Sequence, residues 1–240
     1  MKAIIILPTF NEAENLPKIV EAIMAHQNPR FNLLIVDDAS PDGTGKIADQ
    51  AVAQFPGQIE VLHRTKRRGL ASAYIEGFKI ALKNGADAIG QMDSDFSHNP
   101  DKLPEMLAAL EDADIAIGSR YTAGGSVDVD WPIWRKFLSA FGNFYARTIL
   151  RLPTKDITTG FRMWRRETLA AMPLDQIVSS GYIFLVEMVY VAHKLGYRIA
   201  EVPIYFADRK WGESKMNIKI QLEAAVRVWQ AKFTHRNLGK

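Results

Sequence analysis

The sequence predicts an α/β fold with a mostly parallel central sheet and helices on both faces. Short apolar runs of strand length alternate with longer helical segments from the N-terminus to about residue 120. Strands that alternate with helices of this length need crossover connections, which place the helices on the two faces of the sheet. The first run, residues 2–7, has the continuous hydrophobicity of a buried strand.

The elements follow one another in a regular order. The first strand ends at Pro8, and Asn11 opens the loop before a helix over about 15–26. Further strands are predicted at 31–36, 59–62, 88–92 and 115–117, and further helices at 43–55, 70–84 and 100–111. Beyond residue 120, Gly124-Gly125 predicts a loop, a long amphipathic segment follows, and the remaining elements are irregular. We interpret residues 121–240 as an elaboration of a single domain.

Size and composition are those of a globular domain. The chain has 240 residues, of which 48% are hydrophobic and 24% charged, and this suits one α/β domain with a sizeable core. The sequence contains no cysteine, so disulfides and thiolate metal sites are excluded. No stretch approaches the ~20 apolar residues of a membrane span, since the longest candidate, Tyr182 to Ala192, contains Glu187.

Basic residues are distributed unevenly along the chain. The net charge is only +3, but residues 64–68 form one basic cluster. Residues 131–155 carry five basic side chains and no acidic one. Residues 224–240 also carry only bases. Such patches favour phosphate-bearing partners, namely nucleotides, nucleic acid or anionic lipid. A solvated basic face is an equally good explanation of any single patch.

Acidic residues lie where predicted strands end. Asp93 and Asp95 follow the strand at 88–92, and an extended backbone sends side chains two residues apart to the same face. Two such carboxylates can hold a divalent cation, which can hold a diphosphate in turn; taken alone, the pair also fits a solvated turn. In a parallel sheet, the segment from Pro8 to Glu12 and the pair Asp37-Asp38 lie along the same edge, where ligands bind.

Two common nucleotide-binding signatures are missing from the sequence. No G-x-G-x-x-G follows the first strand, and no G-x-x-x-x-G-K-[ST] occurs anywhere. A dinucleotide-binding fold and a P-loop are therefore disfavoured.

The order of short motifs resembles a known family. Pro-Thr-Phe-Asn-Glu at 8–12, Val-Asp-Asp-Ala-Ser-Pro-Asp-Gly-Thr at 36–44, Arg-Gly-Leu-Ala-Ser-Ala-Tyr at 68–74 and Asp-Ser-Asp-Phe-Ser-His-Asn-Pro at 93–100 are similar to inverting family 2 glycosyltransferases of the GT-A fold. Later motifs, at 118–121, 156–162 and 209–215, resemble those of dolichol-phosphate (polyprenol-phosphate) mannose synthases. The resemblance runs from about residue 2 to about 220. It implies a nucleotide-binding part at about 1–120 and an acceptor- and membrane-facing part at about 121–240.

The resemblance also implies roles for individual residues. The expected nucleotide-sugar site comprises Pro8, Phe10, Glu12, Val36, Asp37, Asp93, Ser94, Asp95 and Arg120. The expected metal set is Asp93, Asp95 and Ser97, where carboxylates point to Mg²⁺ or Mn²⁺. Several relatives carry Gln at the position of Ser97, so a contact there would run through water. Asp95, Arg120, Arg209 and Lys215 are the expected catalytic residues.

The expected acceptor-phosphate residues are Arg120, Arg209 and Lys215. Arginine suits bidentate phosphate binding and lysine a point-charge contact; a surface salt bridge is the alternative explanation of Arg120. A phosphate monoester, with a second pKa of about 6, is already nucleophilic at neutral pH and needs no strong base. His63, His98 and His193 are therefore interpreted as structural. Direct displacement would invert C1, so GDP-α-mannose would give a β-mannosyl phosphate.

The segment 131–152 predicts an amphipathic helix. Aromatic and aliphatic residues recur at spacings of three and four, while Arg135, Ser139, Asn143, Arg147 and Arg151 recur every four residues on another side. With the family resemblance, this favours a helix that lies in a membrane interface, with Trp131, Trp134, Phe137 and Phe141 facing the membrane; the alternative is a surface helix packed on the core. The expected location is peripheral, on the cytoplasmic face of a membrane, and a separate membrane-anchoring subunit is a possible partner.

Other functions compete with this interpretation. The same transfer from UDP-glucose or another nucleotide sugar is a close alternative, because both guanine and uracil offer donors to a carboxylate such as Glu12 or Asp37. A sugar-nucleotide pyrophosphorylase would show a Gly-rich N-terminal signature with a lysine, which this sequence lacks. A basic nucleic-acid-binding module lacks a recognisable reading motif and leaves the acids at the strand ends unexplained, so no nucleic-acid partner is expected.

Overall fold

The computed structural model describes residues 1–208 and 218–238, with the backbone alone for 218–224. The strands are β1 (Ala3–Thr9), β2 (Phe31–Asp37), β3 (Ile59–His63), β4 (Ala88–Gln91), β5 (Ile115–Ser119), β6 (Ser126–Val127), β7 (Arg162–Arg165), β8 (Ile199–Pro203) and β9 (Tyr205–Phe206). The α-helices are α1 (Leu16–Met24), α2 (Thr44–Gln54), α3 (Leu70–Lys83), α4 (Leu103–Ala108), α5 (Ile133–Leu150), α6 (Arg166–Ala171), α7 (Ile183–Lys194) and α8 (Ile218–Thr234). Up to β5, the predicted elements are confirmed, and most of their ends lie within two residues of the predicted ones.

The predicted α/β architecture is confirmed. Seven strands form the central sheet in the order β3-β2-β1-β4-β7-β5-β8. The pairs β1–β2, β1–β4, β2–β3 and β5–β8 are parallel, while β7 runs antiparallel to both of its neighbours. The chain order reverses beside β1, between β2 and β4, and at such a reversal neighbouring connections leave a crevice at the carboxyl ends of the strands.

Two apolar cores lie on the two faces of the sheet. Along β1, Ile4 and Ile6 face the core formed with α3, α5 and α7, whereas Ile5 and Leu7 face the core formed with α1, α2 and α4. Because successive strand side chains point to opposite faces, a strand covered on both sides must be apolar at every position. This is the physical reason for the continuous hydrophobic run in the sequence.

The second half of the chain contributes more to the sheet than its irregular pattern predicts. Both β7 and β8 belong to the seven-stranded sheet, so the expectation of irregular elements beyond residue 120 is wrong for these two strands. The reason lies in the composition of β7, whose sequence is Arg-Met-Trp-Arg. A fully buried arginine, Arg162, stands where a hydrophobic residue marks most central strands.

A buried hydrogen bond holds the end of α8 on the protein. His235, directly after α8, places Nε2 2.6 Å from Oε1 of Glu187 in α7, and both side chains are buried. The same carboxylate accepts the backbone N–H groups of Val178 and Ser179. These bonds hold the pKa of Glu187 below its usual value against the opposing effect of burial. The charge that interrupts the apolar segment in the sequence is therefore a structural anchor.

Candidate active site

The loops after β1, β2 and β4 meet at one edge of the sheet. Each contains a non-glycine residue with positive φ: Asn11 at 60°, Ala39 at 58° and Phe96 at 62°. Among the described residues, only Arg151 shares this property. Backbone conformations of this kind are costly for side chains other than glycine, and they concentrate at binding sites. The strained backbone conformations thus lie at the same edge of the sheet where the sequence places the acidic residues.

A tight turn orients Asp95. Its Oδ1 accepts the backbone N–H of Ser97 at 3.0 Å and the Ser97 hydroxyl at 2.6 Å. The positive φ of Phe96, between them, allows the chain to fold back on the carboxylate. Ser97 is 1% exposed, so in this structure its hydroxyl acts on Asp95. Its expected contact with a metal remains a prediction.

Asp93 has a different environment. The Tyr74 hydroxyl donates to Asp93 Oδ1 at 3.4 Å, and the Asp93 backbone N–H donates to Nδ1 of His98 at 3.1 Å. Burial, followed by the charge of Asp93, raises the pKa of Tyr74 well above its usual value, so the phenol keeps the proton that it donates. Burial lowers the pKa of His98 despite the nearby acids, in keeping with a neutral ring that accepts a hydrogen bond.

Gly160 packs beside Asp93. A Cβ on Gly160 would lie 3.4 Å from Asp93 Oδ1, which is an ordinary van der Waals contact. His98 stacks on Phe161 with ring centroids 5.1 Å apart. This fits the structural role expected for His98 from the sequence.

The loop after β1 is tied to the loop after β2. Backbone N–H groups of Asn11, Glu12 and Ala13 donate to the side chains of Ser40, Thr44 and Asp42, respectively. The Ser94 hydroxyl donates to the Pro8 carbonyl at 3.5 Å and links the loop after β4 to the same place. These bonds bring the predicted nucleotide-binding segments of β1, β2 and β4 together.

Asp38 organises the basic cluster of residues 64–68. Its Oδ1 accepts from Arg64 Nη1 at 2.6 Å and from the Arg68 backbone N–H at 2.9 Å, while its Oδ2 accepts the Gly69 N–H at 2.7 Å. Arg67, held in the same loop, places its guanidinium 3.9 Å from the ring centroid of Phe10. The basic cluster is therefore part of this edge. Asp38, placed at the edge by the sequence without a role of its own, organises the loop that carries the cluster.

Arg120 is held in a buried ion pair. Its Nε donates to Asp156 Oδ2 at 2.7 Å, and its Nη2 donates to Asp156 Oδ1 at 2.8 Å and to the Thr158 hydroxyl at 2.6 Å. Burial alone would lower the pKa of Arg120, but the Asp156 carboxylate outweighs it and raises that pKa. The alternative of a surface salt bridge is wrong, because the Arg120 side chain is 7% exposed and that of Asp156 is 0% exposed. The bonds to Asp156 orient the Arg120 guanidinium, whose third nitrogen, Nη1, takes no part in the three bonds from Nε and Nη2.

The loop that carries Asp156 is braced from several sides. Glu201 of β8 accepts the backbone N–H groups of Lys155 and Asp156. Arg162 donates from Nη2 to the Ile157 carbonyl at 3.0 Å and from Nη1 to the Leu185 carbonyl at 2.7 Å. Burial lowers the pKa of Arg162 to about 9, so it still carries a charge at neutral pH beneath the acidic end of β4.

The structure brings most of the predicted donor-site residues to this edge. The group at the edge comprises Pro8, Phe10, Glu12, Asp37, Asp93, Ser94, Asp95, Ser97 and Arg120. Val36 reaches the edge only through its main chain, because its side chain is fully buried in the core. Arg209 and Lys215 lie outside the described residues, so their roles remain predictions.

The predicted membrane-facing residues divide into two groups. Trp134, Phe137 and Phe141 on α5 are 65%, 69% and 53% exposed. Trp131 is 6% exposed and packs between Phe206 and the guanidinium of Arg135. The prediction that Trp131 faces outward is therefore wrong: this residue precedes α5 and does not share its outer face.

The exposed aromatic surface extends beyond the predicted residues. Ile133 and Phe144 of α5 are also exposed, as are Val226, Trp229 and Phe233 of α8. The two helices are in contact, since Trp229 Nε1 donates to the Tyr145 hydroxyl at 3.2 Å. In the part of the chain that the structure describes, no helix is both long and apolar enough to cross a bilayer.

Asp93 and Asp95 suit a metal held jointly with a ligand. The described residues contain no group of three or more His, Cys, Asp or Glu side chains that would hold a metal by themselves. Mg²⁺ and similar hard cations often use one or two carboxylates together with substrate phosphates. The two carboxylates at the end of β4 therefore fit a cation that binds with a diphosphate.

Three further residues escaped the sequence reasoning although they stand within quoted motifs. Tyr74 ends the motif at 68–74, and Asp156 and Gly160 belong to the motif at 156–162. Their chemistry could not be assigned from the sequence because their partners, Asp93 and Arg120, come from distant segments.

An α/β sheet with acids at a chain reversal and a buried arginine at the same edge forms a site that suits a phosphate-bearing ligand. The model of glycosyl transferase family 2 matches residues 4–172. The chain belongs to this family and is a glycosyltransferase. It is 47% identical to undecaprenyl-phosphate mannosyltransferase of Micrococcus luteus over 95% of this chain and 93% of that protein. It is 42% identical to polyprenol monophosphomannose synthase of Mycolicibacterium smegmatis over 95% and 85% of the two chains.

Solved structures share the fold at low sequence identity. Glucosyl-3-phosphoglycerate synthase from Mycobacterium tuberculosis, in complex with Mn²⁺, UDP-glucose and phosphoglyceric acid, superposes with a TM-score of 0.72 at 15% identity. That similarity covers 100% of this chain and 81% of the other. Another complex of that enzyme, with Mn²⁺, UDP and glucosyl-3-phosphoglycerate, gives a TM-score of 0.67 at 16% identity over 97% and 79% of the two chains. These structures support the GT-A arrangement of the sheet.

Proposed function

We propose that this chain transfers mannose from GDP-mannose to a polyprenyl phosphate, with inversion at C1, at a membrane surface. The observation that carries this proposal is the 47% identity, over nearly the whole chain, to an undecaprenyl-phosphate mannosyltransferase. The arrangement of acids and cations at the sheet edge is compatible with the same chemistry. We also propose that residues 1–120 chiefly bind the donor and residues 121–240 chiefly serve the acceptor and the membrane.

In the proposed reaction, a phosphate oxygen of the acceptor forms a bond to C1 as the bond from C1 to the donor diphosphate breaks. GDP leaves with the bonding electrons, and no proton transfer is needed because the acceptor phosphate is largely a dianion at neutral pH. The protein must hold two anions close together in line. Orientation and compensation of negative charge are therefore the main catalytic contributions.

The acids and cations would divide this work. Asp93 and Asp95 would hold Mg²⁺ or Mn²⁺ at the diphosphate, where the bound cation supplies electrostatic stabilisation of the leaving group. Residues 8–12, in the loop after β1, and Asp37 would border the nucleotide. Arg120, aligned by Asp156, would face phosphate oxygens through Nη1, and Arg209 and Lys215 are proposed to add positive charge.

The aromatic surface of α5 would place the enzyme on the lipid. Trp134, Phe137 and Phe141 are exposed on one face of a helix that lacks acidic residues. Aromatic side chains with nearby bases are typical of helices that lie in the interface of an anionic membrane. Peripheral attachment on the cytoplasmic face, with or without an anchoring subunit, would give the site access to the phosphate of a lipid whose tail stays in the bilayer.

A transfer assay with competing donors tests the proposal. Purified protein is incubated with polyprenyl phosphate in vesicles, Mg²⁺ or Mn²⁺, and labelled GDP-mannose, UDP-glucose or UDP-N-acetylglucosamine, and the lipid is then extracted. Labelled lipid from GDP-mannose is the expected result, and it should disappear in Asp95→Asn but persist in Asp175→Asn, which changes an exposed carboxylate. Label from a UDP-sugar alone would change the donor, and no label from any donor would refute the transfer.

A further inference from the structure

The polar stripe of α5 faces the protein, while its aromatic stripe faces outward. Four residues of the polar stripe, spaced four apart, each bond to the rest of the protein. Arg135 pairs with Asp208, the Ser139 hydroxyl is 2.8 Å from the Tyr121 hydroxyl, Asn143 contacts the backbone at Lys155 and Ile157, and Arg147 donates to the Pro153 carbonyl. The helix is thus attached by these polar bonds as well as by the buried apolar side chains of Ala146 and Leu150.

Asn143 is the buried member of this stripe. It is 4% exposed, although it belongs to a helix whose neighbouring residues Gly142 and Phe144 are exposed. Its Oδ1 accepts the Ile157 N–H at 2.9 Å, and its Nδ2 donates to the Lys155 carbonyl. One side-chain amide therefore holds the two peptide groups that flank Asp156, and we call these two hydrogen bonds the clasp. A side-chain amide supplies a donor and an acceptor side by side, as these two bonds require.

The residue between the two clasped peptide groups, Asp156, forms the ion pair of the site. Asp156 binds Arg120 through both carboxylate oxygens and also accepts the Arg120 backbone N–H at 3.0 Å. Ile157, clasped through its N–H, is held through its carbonyl by Arg162. A shift of this loop would move Asp156, and the guanidinium of Arg120 would move with it.

We propose that Asn143 is a positioning residue, which fixes the Asp156–Arg120 pair relative to the helix that carries the exposed aromatic surface. This rests on the proposed function, in which α5 meets the lipid and Arg120 faces phosphate. The clasp then sets the distance between the membrane plane and the cation that receives the lipid phosphate. Asn143 touches no substrate in this scheme and acts only through the backbone at Lys155 and Ile157.

The test compares Asn143→Ala with a matched asparagine elsewhere. Asn32→Ala serves as the control, because Asn32 also donates from its amide to a backbone carbonyl, that of Ala3, at the opposite end of the sheet. Steady-state transfer to polyprenyl phosphate in vesicles gives kcat and KM for the acceptor, and calorimetry gives the Kd of GDP. We expect Asn143→Ala to lower kcat/KM for the acceptor about tenfold, as is usual for residues that orient a site, with the Kd of GDP within about twofold of wild type.

Asn143→Asp refines the comparison. It keeps the acceptor for the Ile157 N–H but sets a buried carboxylate oxygen against the Lys155 carbonyl, so its loss of kcat/KM should be at least as large as that of Asn143→Ala. If Asn143→Ala does not fold, the aspartate variant decides the matter on the same measurements. A value of kcat/KM within twofold of wild type, or an equal loss of GDP affinity, would overturn the positioning role.

An NMR measurement separates this proposal from the proposed function. The Arg120 Nε–H resonance reports the geometry of the bond to Asp156 without any substrate. We expect this signal to shift or broaden in Asn143→Ala and to stay in place in Asn32→Ala; an unmoved signal would refute the clasp. Failure of the wild-type protein to label any lipid would refute the transfer reaction, and the NMR result would still decide the role of Asn143.

Discussion

Charge at the candidate site is compensated residue by residue. Asp156 neutralises Arg120, Asp38 neutralises Arg64, and the hydroxyls of Tyr74 and Ser97 donate to Asp93 and Asp95. A buried charge without a partner costs several kcal/mol, so these pairings are conditions for folding as well as for function. They also fix the directions in which the remaining donors and acceptors point.

Asp156→Asn should destabilise the protein strongly. The substitution leaves the Arg120 guanidinium buried without a counter-charge, and we expect the free energy of unfolding to fall by about 3–5 kcal/mol. Urea unfolding at pH 7 measures the change. Asp175→Asn is the control, since it breaks an exposed pair with Lys79 and should cost less than about 1 kcal/mol. Equal effects of the two substitutions would contradict the role of the buried pair.

The same pair should give a defined pH dependence. The bonds from Arg120 lower the pKa of Asp156 below its usual 3.8 despite burial. A carboxylate whose pKa is lower in the folded protein than in the unfolded chain stabilises the folded state at pH values above its unfolded-state pKa. This contribution is lost as the pH falls towards the folded-state pKa. The difference in stability between wild type and Asp156→Asn should therefore be constant from about pH 5 to 8 and shrink below about pH 4.

At the scale of elements, α5 shows how amphipathic pattern and burial diverge. The spacing of three and four residues predicts the helix correctly, but an amphipathic pattern does not show which of its two stripes faces the protein. The polar stripe bonds to Tyr121, to the loop at 153–157 that follows the helix, and to Asp208, and the aromatic stripe is left outside. Trp131, by contrast, stands before the helix begins, and its ring is enclosed by Phe206 and Arg135.

Two tryptophans separate membrane contact from folding. Trp134→Ala removes an exposed ring and should weaken binding to anionic vesicles severalfold, with little change in melting temperature. Trp131→Ala removes a buried ring and should cost about 3–5 kcal/mol of stability. Vesicle sedimentation and thermal unfolding measure the two effects. Undiminished vesicle binding by Trp134→Ala would argue against α5 as the membrane-facing element.

At the scale of the whole molecule, the site depends on the order of the strands. Residues from the ends of β1, β2, β4 and β5 converge because the strand order reverses beside β1 and because β7 enters between β4 and β5. A ligand that contacts several of these ends binds only the folded chain, so it stabilises the whole domain.

GDP with Mn²⁺ should therefore raise the melting temperature. At a concentration about 100 times its Kd, a ligand adds about 2.7 kcal/mol, which corresponds to about 5–10 °C for a chain of this size. Differential scanning fluorimetry measures the shift, which should fall sharply in Asp95→Asn or when EDTA replaces Mn²⁺. A full shift in Asp95→Asn would remove that carboxylate from the metal-diphosphate site, and a larger shift with UDP would favour a uridine donor.

The sequence alone determined the alternation of strands and helices and the placing of acids after β2 and β4. Both follow from local physics, because burial on two faces requires continuous apolar strands and parallel strands end on one side. Only the tertiary structure decided that Asp156 captures Arg120, that Asn143 points inward, and that Arg162 lies within the sheet. Each of these depends on a partner that is distant in the chain, and a buried charge or amide is recognisable only when that partner is in place.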